Sequence, residues 1–246
     1  MIALKENEEM IRNFNIMKLA IMQPYFFPYI GYFQLMSAAD VFVIYDDVNY
    51  IKQGWINRNY ILANGKKHLI TLELQGASSF RLINQIRVGG NRGKLTKTVY
   101  QAYARAPYFK DVFPIIERII NFDDDNLARY IANSLHTIAA LLNLPTKLIV
   151  SSGIEKDNYL KGQARVLNIC KSLKADEYIN AIGGQTLYSK TEFEKHSVRL
   201  HFIKTKEITY RQFHNEFVHN LSIIDVLMFN PLDEVIKLLN EYEMIE

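Results

Sequence analysis

Short unbroken apolar runs alternate along this chain with longer stretches in which apolar residues recur three and four apart. Leu19–Met22 is the first run, ends at Gln23-Pro24 and suits a buried strand. Pro28 opens a helix at its first turn, with Ile30, Phe33, Leu35 and Met36 as its apolar stripe and Ala38-Ala39-Asp40 as its end. Val41–Tyr45 is β-branched and aromatic, a second buried strand. Strand, helix and strand in such close succession form a βαβ unit, which implies a parallel sheet. After a polar, irregular stretch from Lys52 to Asn59, His68–Leu74 alternates as a strand. Residues 92–143 read as helical: Asp123–Asp125 suits a helix start, Leu127, Ile131, Leu135, Ile138 and Leu142 follow at helical spacing, and Asn143-Leu144-Pro145 stops the run. The rhythm then resumes, with strands at Lys147–Val150, Glu177–Ile182 and Val198–Lys204 separated by helices over 159–173 and 187–196. Two short helices, near 221–229 and 232–242, finish the chain. The pattern predicts an α/β fold, with one parallel-sheet domain over 17–246 and a helical insertion at about 92–143. A domain boundary near 145 is the alternative.

Composition narrows the function classes. The 29 Lys+Arg against 26 Asp+Glu are interspersed, which is not the basic stripe of a nucleic-acid binder. A single cysteine, Cys170, excludes an internal disulfide and a multi-cysteine metal site, and its apolar surroundings make it a core filler. No apolar run approaches the ~18 residues of a membrane span. Residues 1–16 carry Lys5 and Arg12 against Glu6, Glu8 and Glu9 with no long apolar core, so they are not a secretory signal. Met17 reads as an alternative start, which would make 1–16 a dispensable extension and the protein cytoplasmic.

Aromatic residues are 12% of the chain, yet eleven fall between Tyr25 and Tyr60. Many of these lie in loops that leave the predicted strands, where open parallel sheets bind their ligands. In the first loop, Gln23 is followed by Tyr25, Phe26, Phe27 and Tyr29, then Gly31 and Tyr32. Four aromatic side chains before Gly31 exceed what the core can take. They form either a plug on the sheet edge or a platform on which a base or sugar ring stacks. The second loop holds Asp46-Asp47, then Lys52, Gln53, Trp55, Asn57 and Arg58. Adjacent carboxylates can hold a divalent cation or a pair of sugar hydroxyls, and Lys52 and Arg58 suit a diphosphate; alternatively Asp46 caps a turn and the other charges are solvated. Gly183-Gly184-Gln185 joins a strand to a helix start, which is either an anion site or a plain turn. Near the end stand His214, Glu216, His219, Ser222 and Asp225. A triad of Ser222, His214 and Asp225 lacks the strained turn that exposes a nucleophile.

Several of these segments together resemble the WbqC-like family. They are Gln23–Tyr32, Asp46-Asp47-Val48, Trp55-Ile56-Asn57-Arg58, Tyr178-Ile179-Asn180, Ile182-Gly183-Gly184-Gln185 and the stretch from Phe213 to Asp225, so the likeness covers about residues 17–230. The resemblance implies a place in bacterial surface-polysaccharide assembly, O-antigen or capsule, and transfer of an acyl or aminoacyl group to the amine of a nucleotide-linked sugar. Many relatives look like His-Gln-Pro at the first motif; Met22 stands there in this chain, so no imidazole acts at that point and Gln23 is the first polar group. A more distant likeness is to the Rossmann-like nucleotidylyltransferases with a His-x-Gly-His signature. Tyr29-Ile30-Gly31-Tyr32 occupies that place here without its positive charge, which leaves nucleotide binding but not adenylyl transfer.

Two functions follow. In the first, a transferase, Tyr25, Tyr32 and Trp55 stack on base or sugar, and Lys52 and Arg58 bind the diphosphate. Gln53, Asn57, Gly31, Gly183, Gly184, Gln185 and Glu216 complete the substrate contacts, and the catalytic set is Gln23 with Asp46 and Asp47, one of which orients or deprotonates the amine. In the second, the chain is a non-catalytic accessory subunit, and the aromatic patch is a protein interface, to another protein or to a second copy in a homo-oligomer.

Overall fold

A computed structural model describes residues 16–214 and 216–245. Apart from Ile16, the expected N-terminal extension lies outside the described residues. The first βαβ unit is β1 (Lys18–Met22), α1 (Ile30–Ser37) and β2 (Val41–Ile44). A long excursion follows. It contains the hairpin β3 (Arg58–Ala63) and β4 (Lys66–Thr71), the short pair β5 (Leu74–Gln75) and β6 (Arg87–Val88), and helices α2 (Arg92–Tyr103), α3 (Phe109–Ile120) and α4 (Leu127–Leu141). The chain then returns through β7 (Lys147–Val150), α5 (Gly162–Leu173), β8 (Glu177–Ala181), α6 (Lys190–Lys195) and β9 (Arg199–Thr205). It ends with α7 (Ile223–Phe229), α8 (Leu232–Leu238) and β10 (Tyr242–Ile245).

The central sheet has six strands in the order β10-β9-β8-β1-β2-β7. All neighbours are parallel except β10, which runs antiparallel to β9. The protein is therefore a mixed α/β fold on a mostly parallel sheet. Side chains alternate between two cores: Leu19, Ile21, Val43 and Tyr178 face the side covered by α5 and α6, while Ala20, Phe42, Ile44 and Ile179 face α1 and the excursion helices. Burial on both faces explains why the inner strands β1 and β2 read as apolar runs. Because β2 lies on one side of β1 and β8 on the other, the connections part at β1. A crevice opens there beyond the carboxyl ends of the strands.

Several expectations need correction. The stretch ending at Asn59 is not irregular throughout: Arg58 begins β3, whose inward Asn59 breaks the apolar alternation that would announce a strand. The predicted strand at His68–Leu74 divides into β4 and β5. The last helix, expected to run to about 242, ends at Leu238, and Tyr242 begins β10, an unexpected strand that takes the sheet edge against β9. The cap of α4 is Asn126, whose side chain accepts from the Arg129 amide at 3.1 Å; Asp124 stands two residues before it and accepts from the Asn126 amide at 2.8 Å. Cys170 is buried, and burial pushes its thiol up to about 12, so it is inert. No helix among the described residues is long and apolar enough to cross a membrane.

The loop after β1 is held by β3. The Phe26 amide donates to the Ile56 carbonyl at 3.1 Å. The Asn59 amide donates to the carbonyls of Phe27 at 2.8 Å and Phe26 at 3.4 Å, and its oxygen accepts from the Tyr60 amide. Phe27 sits at φ +42°, a left-handed conformation that a bulky residue adopts only when its surroundings impose it. Replacing Asn59 with Ala strands these buried carbonyls, and urea unfolding is expected to show a loss of about 2–3 kcal/mol; a loss below ~0.5 kcal/mol would mean the clamp is idle.

Candidate functional site

The clamp sorts the aromatic loop into two populations. Phe26 and Phe27 are fully buried and pack on each other at 4.7 Å between ring centroids. Tyr25 stays half-exposed and Tyr29 is 38% exposed, both facing out over the crevice. Tyr32 is not a free stacking surface: it is buried, and its hydroxyl donates to the Gln23 carbonyl at 2.9 Å, tying the loop to α1. Gly31 permits the close approach of the Tyr29 ring, since a Cβ there would stand 2.3 Å from that ring and 2.6 Å from Thr205 Oγ1.

A cavity of about 600 Å3 lies across the carboxyl ends of β1, β8 and β9. Met22 and Gln23 enter it from β1, Asn180 to Gly184 from β8, Lys204 and Thr205 from β9, and Tyr45 from beyond β2. Tyr25, Tyr29 and Gly31 form the wall on the aromatic side, with Tyr188 opposite. Asn180 is held in place by its own surroundings: its oxygen accepts from the Ala181 amide at 2.7 Å and its nitrogen donates to the Tyr178 hydroxyl at 2.9 Å. Gly184 lies over that amide, 3.2 Å from where a Cβ would be. Gly183 faces open space, with nothing within 4 Å of a Cβ. The 182–187 segment is a 3-10 turn and α6 begins only at Lys190, so Gly183-Gly184-Gln185 does not stand at a helix N-terminus as expected.

The phenols here are held protonated by burial. Burial raises those of Tyr25, Tyr29 and Tyr188, and pushes Tyr45 up to about 12 against the opposing charge of Arg165. They hold their protons at neutral pH and can donate to phosphate or hydroxyl oxygens. Lys204 adds a positive charge at the rim.

The expected site residues are divided by the fold. Gln23, Tyr25, Gly31, Tyr32, Gly183 and Gly184 line the cavity. Asp46 and Asp47 do not. Asp46 accepts from the Ser152 amide at 2.9 Å, the Ser152 hydroxyl at 2.6 Å and the Asn84 amide at 3.1 Å. Asp47 is paired with Lys156 at 2.8 Å and Arg165 at 2.7 Å, and the Lys156 side chain is only 1% exposed. Both carboxylates fasten the loops after β2 and β7. Among the described residues no group of three or more His, Cys, Asp and Glu could hold a metal ion. Arg58 donates to the carbonyls of Gln53 and Gly54, bracing a turn instead of facing a phosphate. Asn57 is buried and accepts from the Tyr50 hydroxyl at 2.8 Å. Lys52, Gln53, Gln185 and Glu216 are exposed away from the cavity. Trp55 faces a neighbouring chamber. Ser222 caps α7, and Asp225 accepts from Tyr103 and Tyr210 at 2.8 Å, so no triad forms with His214.

Residues 23–237 match the family model of the WbqC-like protein family. The chain belongs to that family. This WbqC-like chain is 28% identical over 221 residues to Rv1507c of Mycobacterium tuberculosis, an uncharacterized protein, covering 87% of this chain and 93% of the relative. No solved structure matches it. The matched span begins at Gln23 and includes the cavity wall through Thr205. Tyr29, Tyr45, Asn180, Tyr188, Lys204 and Thr205 are among the site residues that the sequence pattern did not single out. Asn180 and Lys204-Thr205 stand at carboxyl ends of strands, a position the sequence pattern already marked.

Burial alone would raise the Asp47 carboxyl, but the hydrogen bond from Lys156 and the charges of Arg165 and Lys156 outweigh it and hold it below the ordinary value. A depressed folded value contributes stability above the unfolded carboxylate value of about 3.9 and loses it as pH falls through the folded one. Urea unfolding at stepped pH is expected to show wild-type stability falling below about pH 4, and a shallower fall in Asp47→Asn. At neutral pH Asp47→Asn is expected to cost about 3–5 kcal/mol, because two buried cations lose their counterion.

Proposed function

We propose that this protein is a cytoplasmic transferase of surface-polysaccharide assembly that attaches an acyl or aminoacyl group to the amine of a nucleotide-linked sugar. The observation that carries this reading is the position of the cavity. It crosses the point where connections from β1 diverge, the place where parallel α/β sheets bind nucleotides. Counted in chain order, the five parallel strands run third, second, first, fourth, fifth, which supports a Rossmann-like kinship. The family resemblance supports the substrate class.

In this reading Tyr25 and Tyr29 stack on a ring, Gln23 and Asn180 hydrogen-bond sugar hydroxyls, and the protonated phenols with Lys204 receive phosphate oxygens. The amine nitrogen attacks the carbonyl carbon of an activated donor. A C–N bond forms, the bond from that carbon to the donor's leaving group breaks, and the amine proton departs with the leaving group. Asp46 and Asp47 have no part in the step because neither lines the cavity: Asp46 accepts from Ser152 and Asn84, and Asp47 is held through Oδ2 by Lys156 and Arg165. The site acts by holding amine and carbonyl together, which is worth a large share of a bimolecular barrier.

Calorimetry with UDP- and dTDP-linked amino sugars tests this. Saturable binding is expected, and Gly183→Leu, whose new side chain meets no protein atom within 4 Å at Cβ and enters ligand space, is expected to weaken it at least tenfold at unchanged melting temperature. Equal binding by that variant, or none by the wild type, would refute the reading.

The accessory-subunit reading is favoured by the cavity rim, where Ile51 is 52% and Leu187 68% exposed. For a homo-oligomer it predicts a mass above 28.6 kDa in light scattering that Leu187→Asp returns to the monomer value. A monomer at all concentrations tells against self-association.

A further inference from the structure

The β3–β4 hairpin buries one face and presents the other. Asn59, Ile61 and Ile70 point inward, while Tyr60, Lys67 and Leu69 lie on the outer face, where Leu62 is covered and the rest stay accessible. Trp55 leans against that outer face, its ring 5.8 Å from Tyr60 in an edge-to-face arrangement, and is itself 44% exposed. Arg58 holds it there by bracing the turn that precedes it. The pair stabilises the ribbon, yet it leaves an aromatic face accessible on which a ring can stack.

These rings line a second, open cavity of about 610 Å3, together with Tyr25 and Tyr29. Those two tyrosines also line the crevice cavity, so the chambers share a wall. The volume falls within the range of small-molecule sites. Lys67 reaches over the Tyr60 ring at 5.9 Å from its centroid and places a positive charge beside the aromatic faces, and Asn220 adds an amide at the mouth.

We propose that this aromatic chamber is a second ligand site, for a nucleotide whose base stacks between Trp55, Tyr60 and the tyrosine wall and whose phosphate meets Lys67. Taken with the transferase reading, on which this last step rests, it holds the nucleotide portion of the activated acyl donor. The amine in the crevice and the carbonyl of the donor then meet at the Tyr25–Tyr29 wall.

Trp55 is the sole tryptophan of the chain, so its fluorescence reports this chamber alone. Titration with AMP, UMP and the uncharged nucleosides is expected to give saturable quenching, with the monophosphates binding about tenfold more tightly than adenosine or uridine. In Lys67→Gln, an exposed change that leaves the core untouched, that phosphate advantage disappears. In Tyr60→Ala quenching affinity falls about tenfold, as expected for one lost stacking partner, while calorimetric binding of a UDP-amino sugar is unchanged. AMP and the UDP-amino sugar bind together without competition. The proposal is overturned if no nucleotide quenches Trp55, if Lys67→Gln retains the phosphate advantage, or if AMP displaces the nucleotide sugar, which would make the two cavities one site. Quenching that persists in a protein binding no nucleotide sugar would remove the transferase reading and leave the nucleotide chamber standing.

Discussion

The site depends on one constraint, the clamp by which Asn59 holds the backbone of Phe26 and Phe27 against β3. With two consecutive rings driven into the core and the second forced into a left-handed backbone, the loop reverses direction. Tyr25 and Tyr29 are left on the outside. The core contribution of the buried pair is what offsets the strain, since each fully buried phenylalanine contributes roughly 1.5–3 kcal/mol. Gly31 completes the device by letting Tyr29 lie over the first turn of α1 beside Thr205. Thr205 donates to Gln34, and Gln34 donates to the carbonyls of Leu238 and Glu241, so the same wall is fastened to the last helix and strand.

Electrostatics divides the molecule in a complementary way. The strongest charge cluster, Asp47 with Lys156 and Arg165, is buried behind the loops and pairs its charges internally. What faces the cavities is weaker and freer: neutral phenols, amides and single lysines. Groups of that kind suit recognition of sugar hydroxyls and phosphates, and they favour positioning over proton abstraction. A catalytic centre built around an acidic pair would show the opposite, with carboxylates exposed in the crevice and their donors absent.

The inner strands of the sheet were legible because they are buried on both faces, and the partly exposed edge strand β7 by its own apolar run. Lys18–Met22, Val41–Ile44, Lys147–Val150 and Glu177–Ala181 all appear as apolar runs in the sequence, and the rule that ligands sit beyond their carboxyl ends leads to the cavity. β3 escaped notice because its inward Asn59 is polar, and β10 because an edge strand with Glu243 outward looks like the end of a helix. Within the site, the two glycines after β8 and the aromatic loop were visible as composition. The division of that loop into Phe26 and Phe27 inside and Tyr25 and Tyr29 outside was not, since it depends on a side chain more than thirty residues away. The acidic pair misled for a related reason: Lys156 and Arg165, which neutralise Asp47, lie more than a hundred residues along the chain.

The central claim is that the Tyr25–Tyr29 wall separates two occupied chambers. The most direct measurement is a structure of the protein with a UDP-linked amino sugar and AMP bound together. The account predicts the sugar beside Gln23 and Asn180, the adenine against Trp55 and Tyr60, and the Asp47 pair with Lys156 and Arg165 undisturbed. A sugar or phosphate seated on Asp46, Asp47, Lys52 and Arg58, with either aromatic chamber empty, would contradict it.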